Sequence, residues 1–242
     1  MQQPLTAYYL DNDNDSEDKR IRSRSVSDVV LTGKVDVPAP PVRLLLDWER
    51  EMQHMVLEAG DVEALPLART RMRWPEYATC VRAVTDWART VGLHDVLTES
   101  DIALMACRGA RYHHDAKHYG RSAFCNLFLS ENKGLDLHFP SAGLRIPLIK
   151  GTVVVFDTAQ PHAVIRSGSS SFKVSDFPTE LDCSQVFLTW ELPITHPRIA
   201  QALGISFDIA PTESPLCEDG LVWLNGMKAN VCPESGQWLA ES

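Results

Sequence analysis

Three histidines and an aspartate fall within six positions, His113, His114, Asp115 and His118, in the stretch RYHHDAKHYGR. Imidazole nitrogens and carboxylate oxygens are side-chain ligands that a first-row metal ion accepts together. The cluster follows the apolar run IALMACRGARY, which reads as strand. If that strand continues, His113 and Asp115 project from one face, because side chains alternate with period two, and His114 points to the other. A helical reading would instead pair His114 with His118. The strand-like run ahead favours His113 with Asp115. The further ligand is best supplied by His162, in GTVVVFDTAQPHAVIRS, where an apolar strand ends, a turn around Asp157 and Pro161 follows, and another strand begins. Two histidines and one carboxylate on one face leave three positions open on an octahedral iron(II).

These residues resemble a known family. His113-His114-Asp115 is similar to the HxD motif of the iron(II)- and 2-oxoglutarate-dependent dioxygenases, and His162 to their distal histidine, with 46 residues between Asp115 and His162. The segment KGTVVVFDTAQPHAV also matches, and the likeness covers about residues 100 to 192. It implies a double-stranded β-helix (a jelly-roll, cupin-like barrel), Fe(II) held by His113, Asp115 and His162, and 2-oxoglutarate and O2 as cosubstrates. Their reaction oxidises an unactivated C–H bond, by default to an alcohol, while 2-oxoglutarate becomes succinate and carbon dioxide. Related halogenases carry a small residue where Asp115 stands, so halogenation is disfavoured.

The family holds the far carboxylate of 2-oxoglutarate with a lysine or arginine, since a buried carboxylate needs a paired cation. Here the chain departs from the pattern, because the last core strand, VFLTWEL, has no cation. Arg166, four residues after His162 and on the same strand face by alternation, is the favoured substitute. Lys173 has the more usual spacing but falls in a serine-rich loop. Asn126, between Phe124 and Phe128, could give the cosubstrate a hydrogen bond. His138 in LDLHFP is either pocket-lining or a satisfied structural histidine. Two other classes stay open. One is a cupin-type metalloenzyme that does not use 2-oxoglutarate, although its usual HxH is absent. The other is a metal-free barrel acting as a binding module.

The elements that must position these groups follow from periodicity. Residues 1–40 read as a flexible polar arm, because DNDNDSEDKRIRSRS is a mixed-charge run. Asp11, Asp13 and Asp15 start like a calcium loop, but Ser16 and Arg22 stand where glycine and glutamate are needed. Residues 41–242 read as one domain. Its helical flank, 41–100, has one helix through Leu45, Trp48, Met52, Met55 and Ala59 and a second from Pro75 through Tyr77, Val81, Val84 and Val91. Trp48 and Trp87 are read as packing residues. The β core, 101–192, holds about seven short strands rich in β-branched and aromatic residues. The long segment GSSSFKVSDFPTELDCSQ before the last of them is expected to be a lid. An extension, 193–242, holds a helix at HPRIAQALG and an unplaced LVWLNGMKANV.

A formal charge of −9 and a pI near 5.3 argue against non-specific attraction to nucleic acid or an anionic membrane. No apolar run is long enough to span a bilayer, and the opening residues lack the basic and apolar regions of a secretory signal. The six cysteines are scattered singly, which reads as reduced, buried thiols in a cytoplasmic protein. An amino acid or other small molecule is the expected substrate. Oligomeric state is not legible.

Overall fold

The computed structural model describes residues 5–11, 20–212 and 218–241. Three strands open the chain, β1 (Leu5–Asp11), β2 (Arg20–Ser25) and β3 (Val30–Lys34). Helix α1 (Val42–His54), strand β4 (Val62–Leu65) and helices α2 (Leu67–Arg73) and α3 (Tyr77–Thr90) follow. The core then runs through β5 (Ile102–Cys107), β6 (Ala110–His113), the one-turn helix α4 (Ala116–Tyr119), β7 (Ser122–Phe128), β8 (Leu135–Phe139) and β9 (Leu144–Pro147). It continues with β10 (Thr152–Asp157), β11 (His162–Arg166) and β12 (Gln185–Pro193). Helix α5 (Pro197–Leu203) and strands β13 (Val222–Leu224), β14 (Met227–Val231) and β15 (Trp238–Ala240) complete it.

The fold is mainly β. A six-stranded sheet, β3-β10-β7-β12-β5-β4, faces a four-stranded sheet, β6-β11-β8-β9, and the chain passes between them as the core is built. Among the described residues no strand pairing joins the two, so the core is a two-sheet sandwich and the expected barrel is not closed by hydrogen bonds. Strand β10 is buried on both faces, which is why TVVVFD is a continuous apolar run and does not alternate. Its Val153 and Val155 pack with Leu44, Trp48 and Val84 of the helical flank. Val154 and Phe156 face the other way, into a core shared with Leu137, Phe139 and Val164 of the small sheet. Trp48 donates to Thr70 Oγ1 (3.0 Å), and a Cβ on Gly33 would lie 2.1 Å from Trp87 Nε1. Both tryptophans are packing residues, as their helical spacing suggested.

IALMACRGARY is two strands, not one. Gly109, at φ 71°, turns the chain from the large sheet into the small one, and its missing side chain admits Phe177, whose ring would stand 2.4 Å from a Cβ there. That contact also corrects the expected lid. Phe172 and Phe177 are stacked (5.2 Å between centroids) and buried, and Arg108 donates to the carbonyls of Phe177, Pro178 and Leu181. The segment is packed on the turn between β5 and β6. Helix α1 stops at His54, short of the expected Ala59, where Val56 takes a positive φ of 52°.

The flexible arm read over residues 1–40 is replaced by structure in its described parts. Strand β1 pairs with β2 and with β13, and β3 pairs with β10. The sequence disguised this because RIRSRS alternates without apolar residues enough to mark a buried face. Its buried members are Ser23 and Arg24, and the fully enclosed Arg24 forms a two-pronged ion pair with Asp157 (2.7 and 2.8 Å). The calcium-loop positions Asp13, Asp15 and Ser16, and Cys217, lie outside the described residues. The other five cysteines are free, four of them buried, and burial pushes the Cys80 and Cys107 thiols up to about 12. No described helix is long and apolar enough to cross a membrane.

Breaking a buried pair by removing one partner leaves an uncompensated charge. Arg24→Met is therefore expected to destabilise the fold by roughly 3–5 kcal/mol, measured as a shift in the denaturant midpoint. A surface change such as Arg89→Met, whose pair with Asp86 is half exposed, should move that midpoint little.

Candidate metal centre

His113 ends β6 and His162 begins β11, and the two residues stand directly opposite each other in the antiparallel ladder. Between this pair and the next, Val164 with Ala110, the register shifts, so β6 carries one extra residue. Such a bulge re-aims a side chain at the end of a ladder. The two rings lie 4.5 Å apart between centroids. Asp115 reaches them by a route the sequence did not suggest. The strand stops at His113, and Asp115, with φ −102° and ψ 9°, is the cap of α4. Its N–H donates to the Thr158 carbonyl (2.7 Å), tying the HxD turn to the turn that leads into His162. The carboxylate then sits 3.5 Å from His113 Nε2 and 3.4 Å from His162 Nε2.

Both histidines are fixed in the same tautomer. His113 Nδ1 donates to the Arg111 carbonyl (2.7 Å), and His162 Nδ1 donates to the Gln160 carbonyl (3.0 Å). A carbonyl only accepts, so each Nδ1 carries a proton, and Nε2 is the nitrogen turned toward Asp115. Burial first, and then the neighbouring His113, push the His162 imidazole down to about 4, so it is neutral at pH 7. Its lone pair faces a carboxylate oxygen that also only accepts. A cation between them resolves that conflict. One ligand atom from each of His113, Asp115 and His162 lies within 4.8 Å of the others. Two ligands each about 2.1 Å from one ion stand up to about 4.2 Å apart, so a small inward movement suffices.

The walls are unequal. Phe156 (4.8 Å) and Phe139 (6.0 Å) flank the buried His162 ring, whereas the His113 side chain is 38% exposed and that of Asp115 24%. An ion here would be dry on one side and open on the other. His114 points away and stacks on Trp238 (5.3 Å), accepting from Ala116 N–H, and His118 lies on α4. His138 is bonded to the Tyr112 hydroxyl (2.5 Å). None of these three belongs to the cluster.

The cosubstrate candidates have partners or places of their own in the fold. Arg166 is at the other end of β11, about 13 Å along the strand, with its guanidinium against the Lys133 carbonyl (3.4 Å) and Cys183 Sγ (3.8 Å). Lys173 precedes a short helical turn in the packed loop. Asn126 stands between Val154 and Thr189 on the inner face of the large sheet, with a buried and unpaired Oδ1. The residues present thus fit a divalent metal ion.

Sequence reasoning missed the framework. Asp157 accepts from Arg24, from Ser27 N–H and from Ala159 N–H, while Thr158 Oγ1 reaches the Tyr119 and Ser122 carbonyls (both 2.7 Å). The available signal was an aspartate closing a fully apolar strand, since a buried carboxylate requires a partner.

No protein-family model and no curated protein matches the chain. Among solved structures, a Pseudomonas putida prolyl-4-hydroxylase is similar over 68% of this chain and 92% of its own, at 16% identity and a TM-score of 0.40. The 2-oxoglutarate complex of a viral collagen prolyl hydroxylase from Paramecium Bursaria Chlorella virus-1 is similar over 68% and 94%, at 8% and 0.42. EvdO2 from Micromonospora carbonacea var. aurantiaca is similar over 78% and 92%, at 12% and 0.41. These likenesses are distant, and no assignment of chemistry rests on them.

Loss of the His162 imidazole should remove a ligand outright. His162→Ala is expected to weaken anaerobic iron(II) binding by at least about a hundredfold, measured by equilibrium dialysis. His118→Ala should leave it within a factor of two or so.

Proposed function

We propose that this protein is a non-haem iron(II) oxygenase that uses 2-oxoglutarate and O2 to oxidise an unactivated C–H bond of an amino acid or other small metabolite. The observation that carries the reading is the meeting of two histidine Nε2 atoms with one carboxylate in a pocket buried on one side. Two histidines and one carboxylate with open positions are the ligand set of non-haem iron(II) oxygenases. Bound there, iron(II) would supply the redox couple and the vacant positions that oxygen activation needs.

The chain's own residues do the rest. The Arg111 and Gln160 carbonyls hold the two imidazoles in the ligating tautomer, which raises their basicity. Phe139 and Phe156 keep water from the His162 side, and the exposed edge at His113 leaves the approach for reactants. Asp115 supplies one negative charge, so a divalent ion retains a net positive charge that draws an anionic chelating ligand.

A second reading is favoured by one observation. With Arg166 turned to Lys133 and Cys183 and no cation on β12, the same triad would serve a metalloenzyme that does not take 2-oxoglutarate.

The two separate in one experiment. Anaerobic iron(II) and 2-oxoglutarate together should give the weak visible charge-transfer band of the chelate. The band should vanish in His162→Ala and weaken in Arg166→Ala if that guanidinium swings inward on binding. Iron-loaded wild type that gives no band supports the second reading and sinks the first.

A further inference from the structure

The stretch LVWLNGMKANV supplies two strands of a three-strand meander, β13-β14-β15, which is joined through β13 to β1. This meander lies against the segment that carries the HxD turn. The Pro233 carbonyl accepts from Tyr112 N–H (3.3 Å), and a Cβ on Gly236 would stand 2.5 Å from the Tyr112 ring. Trp238 stacks on His114, with 5.3 Å between centroids and 36° between planes. At the other end, a Cβ on Gly220 would collide with the Lys117 Cα, so the backbone ahead of β13 runs directly over the start of α4. Gly220 is itself tied to β1, donating to the Tyr8 carbonyl (2.9 Å). Ala116 is fully buried in a small cluster with Ala7, Ala159 and Val222, and Trp238 packs against it.

These contacts fall on the residues that flank the ligands. His113 and Asp115 belong to the triad, while Tyr112, His114 and Ala116 meet the meander. Strand β6 stops at His113, so no ladder partner fixes the residues just after it. The His114 ring takes over that task. Its Nδ1 accepts from Ala116 N–H (3.3 Å), which closes the turn around Asp115, and Trp238 covers its face. Trp238 Nε1 is buried without an acceptor, so the indole acts here through its face and not through its N–H.

We infer that Trp238 is a positioning residue of the candidate metal centre, and that the β13–β15 meander holds the HxD turn in the shape that brings Asp115 to His113 and His162. The inference rests on the triad being a metal site and not on which reaction the metal supports. Side chains that orient ligands without touching the ion typically carry about ten- to a hundredfold of its affinity.

Anaerobic titration of the full chain with cobalt(II), whose visible ligand-field spectrum reports coordination geometry, tests this. Trp238→Leu should bind cobalt(II) at least about tenfold more weakly and show a shifted spectrum at saturation. Trp238→Phe keeps a ring over His114 and should stay within about threefold of wild type, with the wild-type spectrum. Trp48→Leu, which loosens packing in the helical flank, should leave the spectrum unchanged. Gly220→Ala lifts the meander from α4 at its other end and should repeat the Trp238→Leu result, and it decides the question if Trp238→Leu does not fold. Wild-type affinity and spectrum in the folded Trp238→Leu or Gly220→Ala protein, or the same spectral shift in Trp48→Leu, would overturn the inference. Cobalt(II) binding that ignores Trp238 removes only the positioning role, whereas wild type that binds no cobalt(II) removes the metal site and both proposals with it.

Discussion

One enclosed ion pair organises the candidate metal centre. Arg24 and Asp157 are both fully shielded from solvent, and the guanidinium gives the carboxylate two parallel hydrogen bonds. Its Nε reaches the Gly120 carbonyl at the exit of α4 (3.1 Å). A single side chain from β2 therefore grips both segments that carry ligands, the turn that delivers His162 and the loop that follows Asp115. Buried pairs add little net stability when compared with apolar replacements. What this pair does is fix position, because bidentate geometry tolerates little displacement of either partner. The Asp157 carboxylate is saturated by further bonds from Ser27 and Ala159 N–H groups, so neither of its own oxygens is left unsatisfied.

On that support, the site's chemistry is set by main-chain carbonyls. His113 and His162 each donate to the carbonyl two residues before them, which leaves both Nε2 atoms aimed at Asp115. The three atoms make an acceptor-only cluster. Such a cluster is unfavourable when empty and neutral at its nitrogens, and favourable around a cation. The same sandwich keeps one side dry with Phe139 and Phe156, while β6 ends early enough to leave His113 open to solvent.

Much of this was legible in the chain. TVVVFD announced a strand buried on both faces, PHAV announced a turn feeding a strand, and HHD placed a carboxylate two residues from an imidazole. The convergence of Asp115 was expected for the wrong local reason. A continuing strand would have aligned it with His113, whereas a cap of α4 bound to Thr158 aligns it in fact. Arg24 was illegible because its run is polar, and a polar run shows whether it is buried only once its partner is known. Arg166 shares a strand face with His162, as alternation requires, yet alternation says nothing about which end of a side chain's reach is used. Its contacts come from Lys133, between β7 and β8, and from Cys183 in the loop packed by Phe172 and Phe177, long-range features that no local pattern carries.

The account stands or falls on whether the three side chains share one ion. X-ray absorption on anaerobic, iron(II)-loaded protein reads this directly. The expected first shell holds two imidazole nitrogens, seen by their ring multiple scattering, together with oxygen ligands, and one imidazole is lost in His162→Ala. A shell of oxygens alone, or a spectrum unchanged by His162→Ala, would contradict the assignment of His113, Asp115 and His162 as the metal centre.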